Sequence, residues 1–441
     1  MSEINLNNVG PILKADINLD NGINIVIGEQ ASGKSTLAKE IYFFKKIRDF
    51  SLEFICNDFN FIGKANNREL YKDFLIYITN EYSECFGLNK NLPKDFSICF
   101  VYKEGYSVSV TLDDHNYVGF KFSANLEERL KETLTAVNKI YHQPEESNDD
   151  LFSIFIKKQR LREEVAAHFK SVLDDLFCED GDIIYIPAGR SLLAVLSEQL
   201  DVVNVKALDL PMHDFVRKIR ELKPRFNKRL EEVVSDYFKS VKGNVKKNTD
   251  IENALKIIKK ILRGEYINDE DGEKLFIDGN SWIKLLFSSS GQQEVLWILN
   301  MLFVSILENK RTFFIIEEPE AHLYPLAQRY IMEFIALTSN VTKSQMFITT
   351  HSPYILTSTN LLIHSGLVEN YVKDSKNSVI EKKYRLHSDT VKSYRLSLEK
   401  KSFYSIMDDY NFINTDEIDE VSDVINEDTD KLIRMEVDNG L

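Results

Sequence analysis

Only four cysteines occur in the 441 residues, Cys56, Cys85, Cys99 and Cys178, and no two form a C-x-x-C pair. That excludes a disulfide framework and a zinc ribbon, and it reads the thiols as reduced, partly buried side chains. Proline is scarce, at nine residues, so no proline-rich low-complexity segment is present. No apolar run approaches the ~20 residues of a membrane-spanning helix. The N-terminus lacks the basic and apolar regions of a signal peptide. The expected location is cytoplasmic, with no membrane contact. Sustained heptads are missing too, which excludes a long coiled coil, and there is no internal repeat. A formal net charge of −14 argues against a generally basic nucleic-acid binder. What remains, 43% hydrophobic and 28% charged, is an ordinary globular chain. It is long enough for two or three average domains, or for one large α/β domain carrying insertions.

The most informative stretch is Gly28 to Ser35, G-E-Q-A-S-G-K-S, a complete G-x-x-x-x-G-K-[ST] phosphate loop. The β-branched run Ile23-Asn24-Ile25-Val26-Ile27 ahead of it predicts a buried strand. Good helix formers follow from Thr36 to Tyr42. A strand, a glycine turn and a helix N-terminus make an anion site, because backbone N–H groups and the helix dipole converge on a phosphate. Gly28, Ala31, Ser32, Gly33, Lys34, Ser35 and Thr36 are the binding residues. Lys34 is placed to reach the β- and γ-phosphates and Ser35 to ligate Mg²⁺. The ligand is a nucleoside triphosphate.

Three further motifs lie near the other end. Thr312 to Ile316 reads as a buried strand ending in Glu317-Glu318-Pro319-Glu320. One acid suits the metal (Glu317) and one a general base (Glu318), although a plain acidic turn gives the same pattern. Met346 to Thr350 is a second strand, delivering His351-Ser352-Pro353. Ligand groups in open α/β sheets collect at such carboxyl ends. Before an apolar helix from Val295 stands Ser288-Ser289-Ser290-Gly291-Gln292-Gln293-Glu294. It reads either as an anion-binding turn or as a capping box with Ser290 as N-cap and Gln293 three residues on.

In this order the motifs resemble the non-transporter ABC ATPases of the SMC/RecF-like group, and most of all the OLD-like branch found in bacterial anti-phage systems. Asn8-Val9-Gly10-Pro11-Ile12 and Tyr185-Ile186-Pro187-Ala188-Gly189-Arg190-Ser191 are also similar to that group. The resemblance implies an α/β P-loop NTPase of ABC-ATPase type, with a strand-rich insertion and a helical arm. It further implies ATP and Mg²⁺ as cofactors, and a signature loop of Ser289, Ser290, Gly291 and Gln292 touching the γ-phosphate of ATP held by a second subunit. The expected assembly is a homodimer or higher oligomer. Glu318 then activates water, His351 senses or polarises the γ-phosphate, and Lys34 offsets developing charge. Two departures stand out: the usual L-S-G-G-Q is S-S-S-G-Q, and the usual aspartate is Glu317. Arg190 occupies the neighbourhood where a glutamine is expected.

The expected organisation is a split core: 1–50 with the phosphate loop, a 51–180 insertion with three antiparallel strands, a 181–191 core strand, a 192–270 basic helical arm, the 271–400 second core part, and a 401–441 acidic tail. Between Arg217 and Arg263 basic residues exceed acidic ones by fifteen to six. Such a surplus is a solvated face, a DNA-backbone surface or a seat for an acidic partner. From Asp408 to Leu441 the balance is two to twelve, and Ile413, Ile418, Val421, Val424 and Ile425 keep roughly helical spacing. The function expected is that of the ATP-hydrolysing sensor or motor of a DNA-maintenance or anti-phage complex with a separate effector, a nuclease or toxin. A transporter ATP-binding subunit fits the phosphate loop but not the insertion or the arm. A self-contained nuclease requires a glutamate and a D-x-D pair on successive strands, which the residues after His351 do not supply.

Overall fold

A computed structural model describes residues 2–20, 22–61, 67–87, 92–142, 151–192, 208–241, 249–277, 281–368, 379–398 and 402–415, with 429 and 431. In chain order, β1 (Glu3–Val9), β2 (Ile12–Asn18) and β3 (Ile23–Gly28) lead into α1 (Lys34–Cys56) and α2 (Asn67–Phe86). Strands β4 (Ser97–Lys103), β5 (Tyr106–Leu112) and β6 (Val118–Phe122) precede α3 (Ala124–Tyr141), α4 (Leu151–Leu176) and β7 (Asp182–Ile186). Next come α5 (Leu210–Leu222), α6 (Leu230–Ser240), α7 (Thr249–Leu262), β8 (Glu265–Asp269), β9 (Gly272–Phe276) and β10 (Trp282–Lys284). The chain continues through α8 (Ser290–Glu308), β11 (Thr312–Glu317), α9 (Pro325–Thr342), β12 (Gln345–Thr350), α10 (Pro353–Val368), β13 (Val391–Ser397) and β14 (Ser402–Ser405).

The central sheet has the order β14-β13-β3-β12-β11-β7. Its strands run parallel except β14, which pairs antiparallel with β13. Both faces are buried, which is why these strands read as continuous apolar runs rather than as alternating ones. Side chains sort by parity. Ile23, Ile25, Phe314, Ile316, Met346 and Ile348 enter one core with α5 and α7 to α10. Val26, Phe313, Ile315 and Phe347 enter a second core with α1 to α4. The fold is therefore a P-loop α/β sheet flanked by a strand-rich region and a helical region.

Strands β4 to β6 form the expected meander, but they extend β1 and β2 into one five-stranded antiparallel sheet, β2-β1-β4-β5-β6. Helix α1 lies between the two sheets, with Phe44 stacked on Phe100 at 5.5 Å; it runs past the boundary read at residue 50. On the opposite face, Phe215, Ile219, Ile257 and Ile258 of the basic helices share the core of β3 and β11. Their cations meet carboxylates: Arg217 with Asp214 at 2.9 Å, Lys223 with Glu273 at 3.1 Å, Lys259 with Glu231 at 2.7 Å, and Arg225 with Glu308.

Two features differ from the sequence reading. The boundary at residue 270 falls inside a hairpin, because β8, β9 and β10 form a small antiparallel sheet. Ile413 is buried, but in a β-bridge with Met407 and not in a helix. Its carbonyl accepts from Asn360 Nδ2, and its N–H donates to Asn360 Oδ1. Ile418, Val421, Val424 and Ile425 lie outside the described residues, as do 193–207 of the arm. Among the described residues no helix is long and apolar enough to cross a membrane.

Because α1 is covered on both sides, its charges need internal partners. Lys45 pairs with Glu179 at 2.7 Å, and Arg48 with Asp174 at 3.1 Å. Among the described residues, Glu40 is satisfied at one oxygen alone, by the Tyr82 hydroxyl at 3.0 Å. Burial therefore pushes its pKa up to about 8. The folded form holds this proton while the unfolded chain releases it near 4.5, so stability falls as pH rises between those values and levels off above about 8. Replacement of Glu40 by Gln is expected to raise the melting temperature at pH 8, with the gain shrinking towards pH 5. A gain that is equal at both pH values would show that Glu40 is already ionised.

Candidate nucleotide site

Four neighbouring parallel strands end at one edge of the sheet. Pairing of Ile27 with Thr350, Glu317 with Thr349, and Ile316 with Ile186 brings Gly28, His351, Glu317 and Pro187 to that edge. The arrangement follows from register alone: each strand is in step with the next, so each loop starts at the same height.

The phosphate loop is held by close packing. A Cβ on Gly28 would lie 2.3 Å from the Leu396 carbonyl oxygen of β13, and one on Gly33 2.7 Å from Ile12. Asn8 to Ile12, the turn between β1 and β2, thus leans on the loop. Ala31 and Gly33 take left-handed backbone with φ of 63° and 104°. No side chain caps Gly33 at the start of α1, which leaves the first N–H groups of the helix open to a ligand. The Lys34 ammonium donates to the carbonyls of Gly28 and Glu29, both at 2.9 Å. Burial lowers the Lys34 pKa, opposed by the charges of Glu318, Glu29, Glu320 and Glu317. Ser35 is exposed, whereas Ser32 is buried with no partner for its hydroxyl.

At the end of β11 the two acids diverge. Glu317 is buried; its Oε2 accepts from Ala188 N–H at 3.1 Å, and burial together with the neighbouring Glu317 carboxylate pushes the Tyr185 hydroxyl pKa up. Glu318 adopts a φ of 44°, which turns its half-exposed carboxylate to His351 Nε2 at 3.4 Å. The hydrogen bond from His351 holds Glu318 below the usual carboxylate range. Glu320 accepts from Thr350 Oγ1 and His351 N–H, both at 2.7 Å, and burial raises its pKa. Glu320 therefore shapes the loop that carries His351, a role its sequence position did not announce.

These residues fit a Mg²⁺-nucleotide. Among the described residues no group of three or more His, Cys, Asp or Glu side chains is arranged to hold a metal unaided. A buried carboxylate (Glu317) and an exposed hydroxyl (Ser35) are oxygen donors of the kind Mg²⁺ takes alongside phosphate and water.

The serine-glycine loop lies apart. Ser289, not Ser290, is the N-cap of α8, and its partner is Gln292, not Gln293. The reason is that Gln293 is already committed, donating to the carbonyls of Leu285, Leu286 and Ser288. Gln292 also donates to the Leu262 carbonyl at 2.8 Å, tying the loop to the end of α7. Ser289, Gly291 and Gln292 line a cavity of about 450 Å³ with Arg263, Lys260 and His322. Ser35 and Thr36 line a different groove, of about 1050 Å³. Among the described residues, these two cavities share no lining residue.

Arg190, unassigned by the sequence, is fully buried. Its Nη1 donates to the Glu317 carbonyl at 2.7 Å and its Nη2 to the Glu318 carbonyl at 3.0 Å. The sequence marked its position, in a segment similar to the resembled group and where a glutamine is expected, but not its role.

Residues 1–356, from β1 through all four motifs and into α10, match the AAA ATPase domain family. The chain belongs to that family. No curated protein matches it. Solved structures similar to this AAA ATPase domain protein include an SMC head bound to the C-winged helix domain of ScpA, 12% identical, covering 81% of this chain and 90% of that one, at a TM-score of 0.37. The SMC head domain from Thermotoga maritima is 12% identical over 81% and 90% of the two chains, at 0.34. A Smc head with an extended coiled coil, bound to the C-terminal domain of ScpA and derived from Pyrococcus furiosus, is 14% identical over 81% and 92%, at 0.37. TM-scores this low establish neither a shared activity nor a shared assembly.

The packing of the AAA ATPase loop gives a direct test. Gly28→Ala drives a methyl group into the β13 backbone and is expected to destabilise the fold by about 1–3 kcal/mol, the range for overpacking. An unchanged denaturant midpoint would show that β13 does not press on the loop.

Proposed function

We propose that this AAA ATPase domain protein hydrolyses ATP as an OLD-like, ABC-type ATPase, and that it does so as a nucleotide-gated dimer or larger assembly. The observation that carries the reading is the division of the site. Lysine, acids and histidine share one sheet edge, while the Ser289–Gln292 loop lines a separate cavity. A second copy supplies what one chain lacks. Each ATP is then held between one subunit's phosphate loop and the other's serine-glycine loop, and ATP joins the subunits until hydrolysis releases them.

In this reading the bound Mg²⁺-nucleotide supplies the scissile phosphoanhydride. Lys34 offers its ammonium to the β- and γ-phosphates, and the open N–H groups at the start of α1 bind phosphate oxygens. Ser35 and Glu317 hold Mg²⁺. Glu318, kept ionised by His351, accepts the proton of the attacking water. His351, paired with Glu318, is assigned to sense or polarise the γ-phosphate. The core is organised in separate parts, β3 with α1, then β7, then α8 to β14, around the strand-rich and helical segments.

The assembly works with a separate effector, a nuclease or toxin, in DNA maintenance or anti-phage defence. Arg217, Arg225 and Lys259 are engaged by carboxylates of this chain, which lowers their worth as phosphate contacts and favours a protein partner over duplex DNA.

Lys34→Ala is expected to abolish Mg²⁺-dependent ATP hydrolysis. Glu318→Gln is expected to bind ATP and trap the assembled state, seen as earlier elution from a sizing column only when ATP is present. Wild-type turnover in the lysine variant, or unchanged elution in the glutamine variant, would sink the corresponding half of the reading. His351→Ala removes the hydrogen bond that depresses Glu318, so the acidic limb of the kcat profile is expected to move to higher pH. A limb that stays in place means that Glu318 is not the titrating base.

A further inference from the structure

One buried guanidinium joins three elements of the site. Arg190 has no exposed side-chain surface. Its Nη1 donates to Pro187 O at 2.5 Å and Glu317 O at 2.7 Å, its Nη2 to Glu318 O at 3.0 Å, and its Nε to Glu294 O at 2.8 Å. The Glu294 carboxylate closes the circuit by accepting from the N–H groups of Arg190 and Ser191, each at 3.0 Å. The ends of β7 and β11 and the first turn of α8 are thereby fixed to one rigid plane. Glu294 lies one turn beyond Ser289, the cap of the serine-glycine loop. Glu318 is also left-handed, with its N–H bound to Thr349 O at 2.8 Å. Its carbonyl accepts from Ala321 N–H at 3.0 Å within the loop and from Arg190 Nη2, the donor that also touches α8.

We infer that Arg190, locked to Glu294, is a positioning residue that aims the Glu318 carboxylate and makes that aim depend on the serine-glycine loop at the start of α8. A guanidinium is planar and presents its donors in a fixed fork. A shift of the α8 N-terminus cannot be absorbed by bending one bond; it must displace the Glu317 and Glu318 peptides or break the set. What meets the Ser289–Gln292 loop is read at the base. Lysine offers a compact ammonium on a flexible stem and cannot span four carbonyls on three elements. The kinetic part of this inference rests on the reading of Glu318 as the base of ATP hydrolysis; the mechanical part does not.

The test is hydrogen–deuterium exchange on the full chain, without nucleotide, for wild type, Arg190→Lys and the milder Glu294→Gln. Amides of residues 290–297 and 317–323 are expected to exchange about tenfold faster in both variants, as for a local opening eased by some 1.4 kcal/mol. Amides of 331–337 in α9, serving as the folding control, should be unchanged. Should Arg190→Lys unfold α9, Glu294→Gln alone decides. Residues 317–323 exchanging as in wild type would overturn the proposal, whatever the kinetics. Steady-state assays with Mg²⁺-ATP then separate positioning from binding. The kcat is expected to drop about 100-fold, the scale of a small misplacement of a catalytic group, with KM held within about threefold. A kcat equal to wild type, or a loss confined to KM, overturns the positioning role. A wild-type protein with no turnover defeats the ATPase reading and leaves the exchange result to decide the coupling.

Discussion

Everything chemical in this chain depends on one constraint: β7, β11, β12 and β3 pair parallel and in step. Parallel strands carry their side chains alternately to two covered faces, so a slip of one residue exchanges the two cores. Phe313 and Phe314 show how tightly this is specified, since they are neighbours that enter different cores. The same register that sorts the apolar residues also aligns the strand ends. The carboxylates, the histidine and the phosphate loop are together because the hydrophobic pattern leaves them no other place.

That edge concentrates charge, and the protein manages it by giving the groups unlike surroundings. Glu318 is half-exposed and held ionised by His351; Glu320 is half-buried, and desolvation raises its pKa. Two carboxylates two residues apart are thus driven in opposite directions. Lys34 and Arg190 both feel the charges of Glu317, Glu318 and Glu320. Burial lowers both cations, and the carboxylates around them counter it. Removing either partner of such a set leaves a charge with nothing to answer it, which is why a buried ion pair is worth most in the breaking.

The sequence disclosed the parts of this arrangement that local pattern controls. A glycine-rich turn between a β-branched strand and a helix is readable because each residue type is required there, as the close approaches at Gly28 and Gly33 show. The strands ending at Glu317 and Thr350 were legible as unbroken apolar runs. Strand β13 was not: Val391 to Ser397 carries Lys392 and Arg395 and becomes a strand only because β3 offers it an edge. The β8–β9 hairpin had a usable signal, Asp271-Gly272 between alternating residues, which the helical run before it obscured. Arg190 was invisible in kind. A backbone-binding arginine has no sequence partner to match, because its acceptors are carbonyls that any residue carries. The one-residue error in the α8 cap has the same origin, since three carbonyls claim Gln293 and leave the cap to Gln292.

Left-handed backbone at non-glycine residues follows the same division. Ala31, Glu318 and His322 have φ of 63°, 44° and 58°, a region that disfavours side chains by roughly 1–2 kcal/mol each. All three stand in loops at the functional edge, and each is held from outside its own segment. Ala31 lies in a loop pressed by Ile12 and Leu396, Glu318 is gripped by Thr349 and Arg190, and the His322 carbonyl abuts Gly291 closely enough to exclude a Cβ there. A conformation that its own segment does not favour persists only while the neighbours hold it. The loops that meet phosphate, base and serine-glycine turn are therefore set by contacts between elements. Those contacts run from β13 through the phosphate loop on one side, and from α8 through Arg190 to β11 on the other. The backbone around the acids is therefore held by neighbouring elements as much as by its own segment.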